Sequence, residues 1–382
     1  MIDRALVVEA DRAAAAGDFE LAASRLRVVV AQGCDDAAIW LKLSAIERAS
    51  GQLRAALGSA ERALALAPLD FTALLLRASL LERLGDANTD AAYENALLRR
   101  PGDALPHQIA QIVAHAERRI AAWRDRRDKR MASHVAPVIA AASDEERARI
   151  ARFHTNILRR TRPFHSEPTD FHFSGLATRE FHPRRLFPWL TELEAATDTI
   201  AGEFVAVMAA ERAKLVPYIQ YEDHAPLAQW QSLNHSRDWT AIHLLQNGAR
   251  VEANARHTPR TLSLLDRVGQ PRIAGASPNA MFSLLAPHTV IPPHVGVSNA
   301  RLVCHLPLII PLGCWFRVGA ETRRWRRGEA FVFDDTIEHE AANPSGELRV
   351  VFIFDVWHPD LSAVERDAVA ALVGGEGGPG GL

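Results

Sequence analysis

This chain of 382 residues has few cysteines, almost no excess of one charge sign and no long apolar run. It has three cysteines and no C-x-x-C spacing, which argues against a disulfide framework or a zinc site and is typical of a reducing cytosol. The formal net charge of -2 gives no overall field that would favour nucleic acid or an anionic membrane. No apolar run reaches the roughly 18 residues of a membrane-spanning helix, and no signal peptide is evident at the N-terminus. We therefore expect a cytoplasmic protein.

The N-terminal part of the chain repeats, and a chain of this length is expected to form two or three domains. Gly17, Gly51 and Gly85 are each 34 residues from the next, and each begins a similar phrase among Ala- and Leu-rich helical segments. A 34-residue period with a turn glycine resembles the tetratricopeptide repeat, in which each unit is a pair of antiparallel helices. We predict a turn with positive φ at each glycine. The alternative is an Ala-rich helical bundle with accidental spacing.

The segment that follows the repeats is predicted to be a helical linker over residues 106–165. Its stretch Arg118–Arg130 interleaves basic residues with two aspartates, which favours a solvated helix face over a nucleic-acid site. Ser143–Glu146 matches a capping box and predicts a helix that begins there and runs to about Arg160. A loop is predicted over residues 163–182.

From about Pro217 the sequence changes character. A helical pattern over residues 188–215 gives way to short segments broken by Pro, Gly and Asn. Several short β-rich segments at close spacing favour a β-sandwich or a barrel. The candidate strands are Thr240–Leu245, Ala280–Leu285, Arg301–Ile310, Cys314–Val318, Ala330–Phe333 and Leu348–Val356.

Two histidines and an arginine near the C-terminal end suggest oxygen chemistry. His294 and His339 fall on separate short strands, and two such histidines can hold one Fe(II). Arg349 lies in a strand-like run that begins at Leu348, and Val351 and Ile353 share its face. An arginine on that apolar face is costly to bury unless it binds an anion. Arg349 is therefore a candidate to bind the distal carboxylate of a keto acid.

A third histidine, His305, lies on a candidate strand between His294 and His339 in the sequence. Alternation places Arg301, Val303 and His305 on one face of that strand. If His294 faces the interior, His305 on the next strand can lie near it. The alternative is that His305 merely orients a carboxylate or a backbone carbonyl. For Arg301, a substrate contact and a surface ion pair both remain open.

From about Phe187 to Ala368 the chain resembles the aspartyl/asparaginyl β-hydroxylase family of Fe(II)- and 2-oxoglutarate-dependent oxygenases. The similarity is carried by PHVGVSNARLVCHL at 293–306, GEAFVFDDTIEHE at 328–340 and RVVFIFDVWHP at 349–359. Members of this family often carry tetratricopeptide repeats ahead of the oxygenase domain. That arrangement agrees with the 34-residue period found independently.

The resemblance implies a fold as well. We expect N-terminal α-helical tetratricopeptide-like repeats followed by a C-terminal double-stranded β-helix, which is a jelly-roll or cupin-like fold. The expected domains are a repeat domain at 1–105, the linker at 106–165, the oxygenase domain at 166–370 and a flexible Gly-rich tail at 371–382.

The resemblance also implies roles for single residues. His294 and His339 match the iron ligands, and Arg349 matches the arginine that binds the distal carboxylate of 2-oxoglutarate. Ser283 falls where the family places the partner serine of that arginine. His305 matches a histidine near the cosubstrate carboxylate. These residues, with Arg301, form the expected site.

Two positions bear on the coordination and charge of the expected site. Gly296 stands where most of the wider superfamily has a carboxylate ligand. Glycine at this position is a trait of this family, and it leaves a coordination position for water or halide. Val303 stands where the family often has a second arginine, a change that could weaken cosubstrate binding or alter which substrate anion is bound. Asp334 and Asp335 are expected to end a strand and to support the site.

The activity implied by the resemblance is hydroxylation of an Asp or Asn side chain, or a similar group, on a peptide or protein. Fe(II), 2-oxoglutarate and O₂ would be required, and succinate and CO₂ released. The concave groove of tetratricopeptide repeats suits an extended peptide, which favours a macromolecular substrate over nucleic acid or membrane. The alternatives are a small-molecule or lipid-linked hydroxylase, a halogenase on the same iron site, and a non-catalytic repeat scaffold with a degenerate cupin-like domain.

Overall fold

The computed structural model describes residues 3–210, 216–220, 222, 224, 230–231 and 233–375. The chain forms two compact units, with the boundary between Ala142 and Ser143. The helices of the first unit are α1 (Arg4–Ala15), α2 (Phe19–Ala31), α3 (Ala37–Ala49), α4 (Leu53–Leu66), α5 (Phe71–Leu84), α6 (Thr89–Leu97) and α7 (His107–Ile139).

The first six helices pair as the repeat predicts. Gly17, Gly51 and Gly85 lie in the turns between α1 and α2, between α3 and α4, and between α5 and α6. Their φ angles are 80°, 79° and 69°, in the left-handed region that glycine adopts without strain. The prediction of helical repeats with turn glycines is confirmed.

Helix α7 belongs to the first unit, although the sequence groups it with a linker. Its N-terminal half buries Val113, Ala116 and Ile120 in one cluster with apolar side chains of α5 and α6. Its basic stretch pairs with acidic residues of the repeats, as in the ion pair of Arg124 with Glu94 at 2.9 Å. The mixed charges therefore lie on a helix that packs on the last repeat.

The second unit holds the remaining elements. Helix α8 begins at the predicted capping box, in which the Ser143 and Glu146 side chains each bond the backbone of the other residue. The helices are α8 (Asp144–Ile157), α9 (Leu190–Ala195), α10 (Thr197–Ala209), α11 (Glu252–Ala255), α12 (Pro259–Leu265) and α13 (Ala363–Gly375), with a 3₁₀ helix at Arg184–Leu186. The strands are β1 (Val216–Pro217), β2 (Trp239–Gln246), β3 (Ala249–Arg250), β4 (Ala280–Leu285), β5 (Thr289–His294), β6 (Arg301–Ile309), β7 (Trp315–Val318), β8 (Glu321–Arg324), β9 (Phe331–Phe333), β10 (His339–Asn343) and β11 (Arg349–Trp357).

The strands of the described chain form two antiparallel sheets. The larger sheet has the order β1-β2-β4-β11-β6-β9, with β3 beside β2, and the smaller has the order β5-β10-β7-β8. From β4 onward, the first strand pairs with the last, the second with the seventh, the third with the sixth and the fourth with the fifth. This nested pairing is the topology of the expected double-stranded β-helix.

Alternation along the strands divides the core into two layers. Leu302 and Cys304 of β6 and Phe352 of β11 pack against α9, α10 and α12 on one face of the larger sheet. Val303 and Val351 pack on the opposite face, against the smaller sheet. The face assignments made from the sequence are confirmed, and the site residues lie on the face between the two sheets.

All six predicted strands are present, with ends within two residues of the prediction. The pattern does not identify β5, which contains Pro292 and Pro293. This strand tolerates proline because it lies at the edge of its sheet, where it pairs only with β10. Neither β5 nor β10 is among the six candidate strands with predicted bounds, although His294 and His339 are each expected on a short strand and do lie on one.

Helical predictions differ from the structure at two ends. The helical pattern predicted over 188–215 forms α9 and α10, which meet at Ala196, and residues 211–215 lie outside the described residues. Helix α13 continues to Gly375 and buries Val373, so residues 371–375 are helical rather than part of a tail. Among the described helices, none combines the length and apolar character needed to cross a membrane.

Candidate active site

The two predicted metal ligands lie side by side in the smaller sheet. His294 ends β5 and His339 begins β10, and the two are register partners whose ring centroids are 3.9 Å apart. Nδ1 of His294 lies 2.7 Å from the carbonyl oxygen of Pro292, and Nδ1 of His339 lies 3.1 Å from that of Ile337. A proton on each Nδ1 donates to these carbonyls. That tautomer leaves the Nε2 lone pair of each ring free for a metal.

Burial keeps both rings neutral. It lowers the pKa of His294 well below its usual value, and the neighbouring His339 adds to the effect. Burial also lowers the pKa of His339 to about 4. Neutral imidazole is the form that binds metal, so protons compete weakly for this pair. Among the described residues, no third His, Cys, Asp or Glu joins them in a metal-binding group.

The carboxylate of Asp335 lies against Gly296, two residues after the first histidine. A β carbon at position 296 would overlap the Asp335 carboxylate, far inside van der Waals contact. The same carboxylate accepts a hydrogen bond from Nη1 of Arg301 at 2.9 Å. Arg301 is 6% exposed and Asp335 is 6% exposed, so the ion pair that the sequence allowed for Arg301 is a buried one.

Arg349 is a deeply buried cation. Its exposed fraction is 1%, and no carboxylate of the described chain lies within ion-pair distance. Its Nη1 donates weakly to Oγ and to the carbonyl of Ser283, at 3.3 and 3.4 Å, while its Nε has no partner. The guanidinium stacks over the Trp325 ring, 4.5 Å from the centroid. Burial lowers the pKa of Arg349 to about 10, which leaves it charged at neutral pH.

Ser283 and His305 lie beside this arginine. Ser283 Oγ also accepts a hydrogen bond of 3.1 Å from Nε1 of Trp239. His305 lies between the rings of Phe316 and Phe333, with centroids 5.0 and 4.8 Å away. Its buried Nδ1 has no partner, and burial, with the charge of Arg349, lowers the pKa of His305 well below its usual value. The wall around Arg349 therefore contains two buried nitrogens without a hydrogen-bond partner among the described residues, Arg349 Nε and His305 Nδ1.

A single cavity of about 470 Å³ joins the two parts. It is lined by all six predicted site residues, His294, His339, Arg349, His305, Ser283 and Arg301. The histidine pair comes from the smaller sheet, whereas Arg349 and its neighbours come from the larger one. Arg349 and the two histidines therefore line the same cavity from opposite sheets.

An aromatic wall on one side of the cavity was not anticipated from the sequence. Trp230 lies 4.4 Å from the His294 ring between centroids, and Tyr218 stacks on Trp239 at 3.9 Å with an interplanar angle of 9°. Burial raises the pKa of Tyr218 to about 12, so its hydroxyl remains protonated. The only sequence signal is the closeness of the two tryptophans, which does not by itself distinguish a core from a site.

Residues 194–359 match the family described as Aspartyl/Asparaginyl beta-hydroxylase. The chain is 34% identical over 182 residues to the human aspartyl/asparaginyl beta-hydroxylase, a match that covers 47% of this chain and 22% of that protein. It is 33% identical over 216 residues to aspartate beta-hydroxylase domain-containing protein 2 of Xenopus tropicalis, covering 55% of this chain and 56% of that protein. The chain thus spans about a fifth and about half of the lengths of these relatives.

Solved structures of helical repeat domains resemble part of the chain. One is the type III secretion chaperone SycD of Yersinia enterocolitica in complex with a peptide of the translocator YopD, with 17% identity, a TM-score of 0.28, and coverage of 31% of this chain and 89% of that chain. Another is the Sgt2 TPR domain of Aspergillus fumigatus, with 19% identity, a TM-score of 0.28, and coverage of 31% and 78%. The assignment of the repeats rests on the helix pairs and turn glycines of this chain, and not on these likenesses.

Proposed function

We propose that this chain is an Fe(II)- and 2-oxoglutarate-dependent dioxygenase, because residues 194–359 match the family described as Aspartyl/Asparaginyl beta-hydroxylase. Its substrate is an Asp or Asn side chain, or a similar group, on a peptide or protein. The reaction consumes O₂ and releases succinate and CO₂. The observation that carries the proposal is a buried, unpaired Arg349 in the same cavity as two neutral histidines with free Nε2 atoms.

The histidine pair suits iron. His294 and His339 would hold Fe(II) through Nε2, since imidazole is a good ligand for that ion and the two backbone carbonyls fix the required tautomer. Bound iron would supply the activation of O₂, with 2-oxoglutarate as the source of two electrons. The side chains position the reactants and keep the site dry, with the aromatic wall excluding water beside His294.

The surroundings of Arg349 suit the distal carboxylate of 2-oxoglutarate. A guanidinium binds a carboxylate through two parallel hydrogen bonds, and Arg349 has an unpartnered Nε and a weakly used Nη1. Ser283 Oγ and the His305 ring lie at the same end of the cavity and would hold the same carboxylate. An anion there also removes the cost of an unpaired buried charge.

The alternatives are less well supported. The space beside Gly296 contains the Asp335 carboxylate, whose negative charge opposes a halide there, so the halogenase reading is weaker. A scaffold would have no reason to keep a buried arginine unpaired. We also propose that the repeat unit binds a peptide or protein partner and that the protein is cytoplasmic.

The test is an anaerobic titration of the full chain with Fe(II) and then 2-oxoglutarate, which monitors the visible charge-transfer band between iron and the keto acid. We expect the band in the wild type, its loss in His339→Ala, and its weakening in Arg349→Ala. Arg250→Ala is the matched control, since it removes a half-exposed arginine from a surface pair with Glu252. Wild-type protein that binds iron but shows no band would overturn the cosubstrate assignment.

A further inference from the structure

Arg349 keeps its charge in a buried place where no carboxylate compensates it. It lines the cavity, and among the described residues no Asp or Glu lies within ion-pair distance of it. Two weaker acids act on it, the thiol of Cys314 and the hydroxyl of Tyr218. Burial raises the pKa of both groups, that of Tyr218 to about 12, so neither supplies a negative charge at neutral pH. Another kind of partner must therefore stabilise this cation.

The indole of Trp325 lies against the guanidinium. Trp325 directly follows β8, is buried, and has its ring centroid 4.5 Å from the guanidinium carbon of Arg349. The same indole stacks on Phe316, with ring centroids 5.5 Å apart and an interplanar angle of 14°. The electron-rich face of an indole attracts a cation, and the attraction is largest where water is excluded. Trp325 therefore offsets part of the cost of burying the charge of Arg349.

Apolar packing alone does not explain a tryptophan at this position. Nε1 of Trp325 is buried without a hydrogen-bond partner, which is a cost that phenylalanine would avoid in an ordinary core position. Of the aromatic side chains, tryptophan has the face that binds a cation most strongly. The residue type therefore fits a partner for Arg349 better than it fits a plain core residue.

A ring and a carboxylate stabilise a buried arginine in different ways. A carboxylate would bond the in-plane N–H groups of the guanidinium and cancel its charge, so an incoming anion would have to displace it. A stacked ring lies over the plane, occupies none of the five N–H donors and leaves the charge in place. Trp325 is not among the described residues that line the cavity, so it would act on an anion only through Arg349.

We infer that Trp325 is a positioning residue for an anion site at Arg349, where its ring takes the place of an acidic partner and holds the guanidinium charged and in one plane. Ser283 is the second restraint, since its Oγ lies 3.3 Å from Nη1 of Arg349. The inference rests on the proposed function only for the identity of the anion, which is the distal carboxylate of 2-oxoglutarate.

The test varies the charge on the face of the indole while its shape is kept. Tryptophan analogues with increasing numbers of ring fluorines are introduced at position 325 alone in the full chain, and each fluorine weakens the attraction of the ring for a cation. The dissociation constant of 2-oxoglutarate is measured anaerobically on the Fe(II)-loaded chain from the iron–keto acid band. We expect it to rise stepwise along the series, by about tenfold in total. The affinity for Fe(II), measured without 2-oxoglutarate, should stay the same.

Trp123 provides the matched control. Its ring also takes an arginine, with the guanidinium carbon of Arg127 5.1 Å from the centroid, but both residues lie on α7 of the first unit. The same analogues at position 123 should leave the dissociation constant of 2-oxoglutarate unchanged. A constant that does not respond to fluorines at position 325 would overturn the inference. A parallel fall in Fe(II) affinity would also overturn it, because it would show general damage to the cavity.

Two ordinary substitutions check the same point. Trp325→Phe keeps an aromatic face and removes the indole N–H, whereas Trp325→Leu removes the face. We expect 2-oxoglutarate binding to weaken more in Trp325→Leu than in Trp325→Phe. Equal weakening in the two variants, or wild-type binding by Trp325→Leu, would overturn the role of the ring. If Trp325→Leu does not fold, the fluorine series decides alone, because it preserves the shape of the side chain.

Glutarate separates this inference from the proposed function, because it has both carboxylates but no keto group to bind a metal. Its probe is the thermal unfolding midpoint of the metal-free full chain, with Arg349→Met as the reference that lacks the cation. A wild type without the iron–keto acid band would overturn the cosubstrate assignment. The inference would still stand if glutarate raised the midpoint of the wild type, raised it less along the fluorine series, and did not raise that of Arg349→Met. No effect of glutarate on a wild type that also lacks the band would overturn both.

Discussion

Asp335 fills the space that any side chain at Gly296 would need. The backbone of the two residues is also joined, since the amide of Gly296 donates to the carbonyl of Asp335 at 2.7 Å. Gly296 does not have a positive φ, so its backbone would accept any residue. Glycine is required there because of the neighbouring carboxylate.

Gly296→Ala should therefore lower the free energy of unfolding. The added methyl group forces the Asp335 carboxylate aside, and overpacking of this kind costs about 1–3 kcal/mol. Urea unfolding monitored by tryptophan fluorescence measures the change. Gly202→Ala is the control, because that glycine is in α10 with no atom within 4 Å of the added carbon, and there we expect a small gain. An unchanged midpoint for Gly296→Ala would contradict the crowding.

Arg349 and Arg301 should respond in opposite ways to replacement by methionine. Arg349→Met removes a buried charge that has no partner, so we expect the unfolding free energy of the metal-free chain to stay the same or rise by about 1–4 kcal/mol. Arg301→Met leaves Asp335 buried and unpaired, so we expect a loss of about 3–5 kcal/mol. The urea unfolding midpoints of the two variants measure these changes in unfolding free energy. Equal losses would show that Arg349 has a structural partner.

His182 should make the chain sensitive to acid. Burial lowers its pKa from 6.5 to about 3, the nearby charge of His358 adds to this, and neither ring nitrogen has a partner. Between these pH values the unfolded chain binds a proton that the folded chain does not. Stability from this group is therefore complete above pH 6.5 and falls as the pH is lowered, by about 1.4 kcal/mol per pH unit at most.

The measurement for His182 is the unfolding free energy at several pH values from 7.5 down, in the wild type and in His182→Phe. Below pH 6.5, the unfolding free energy of the variant should depend less steeply on pH, by the slope that uptake of about one proton on unfolding produces. The contributions of all other groups should be unchanged. Parallel curves for the two proteins would contradict this, because they would mean that His182 has the same pKa in the folded and unfolded chains.

Of two carboxylates in the repeat unit, Glu47 and Glu9, Glu47 should contribute more to stability. It is 2% exposed and accepts hydrogen bonds from Arg27 of α2, at 2.7 Å, and from Ser59 of α4, at 2.7 Å. Glu47→Ala leaves the hydroxyl of Ser59 buried without a partner, and we expect a loss of about 1–3 kcal/mol. Glu9→Ala breaks an exposed pair with Arg25 and should cost under about 1 kcal/mol. Hydrogen exchange of α3 and α4 reports the difference, and equal protection in both variants would refute it.

Much of the fold could be read from the sequence because local rules determine it. The turn glycines need positive φ, the capping box at Ser143 satisfies backbone groups at the start of α8, and alternation assigns the faces of β6 and β11. β5 could not be found in this way. Its two prolines are tolerated only because it lies at a sheet edge, and an edge position depends on the whole topology.

The site residues divide in the same way, into features that the sequence predicts and features that depend on the whole fold. The sequence predicts His294, His339 and Arg349 as site residues because their types and spacing match a known chemistry, and the structure places all three on one cavity. The unpaired state of Arg349 could not be predicted, since it depends on which carboxylates lie nearby in three dimensions. The same holds for Asp335, whose contacts with Gly296 and Arg301 join two separate stretches of chain.

Each of the two sheets carries one part of the candidate site. The histidine pair is built on the smaller sheet and the arginine on the larger one, so only the packing between the sheets sets the distance between them. Under the proposed function, a slight sliding of one sheet over the other would leave both sets of binding residues intact but would misalign the iron and the keto acid. Apolar changes between the layers, far from the site residues, would then lower turnover without removing a binding residue.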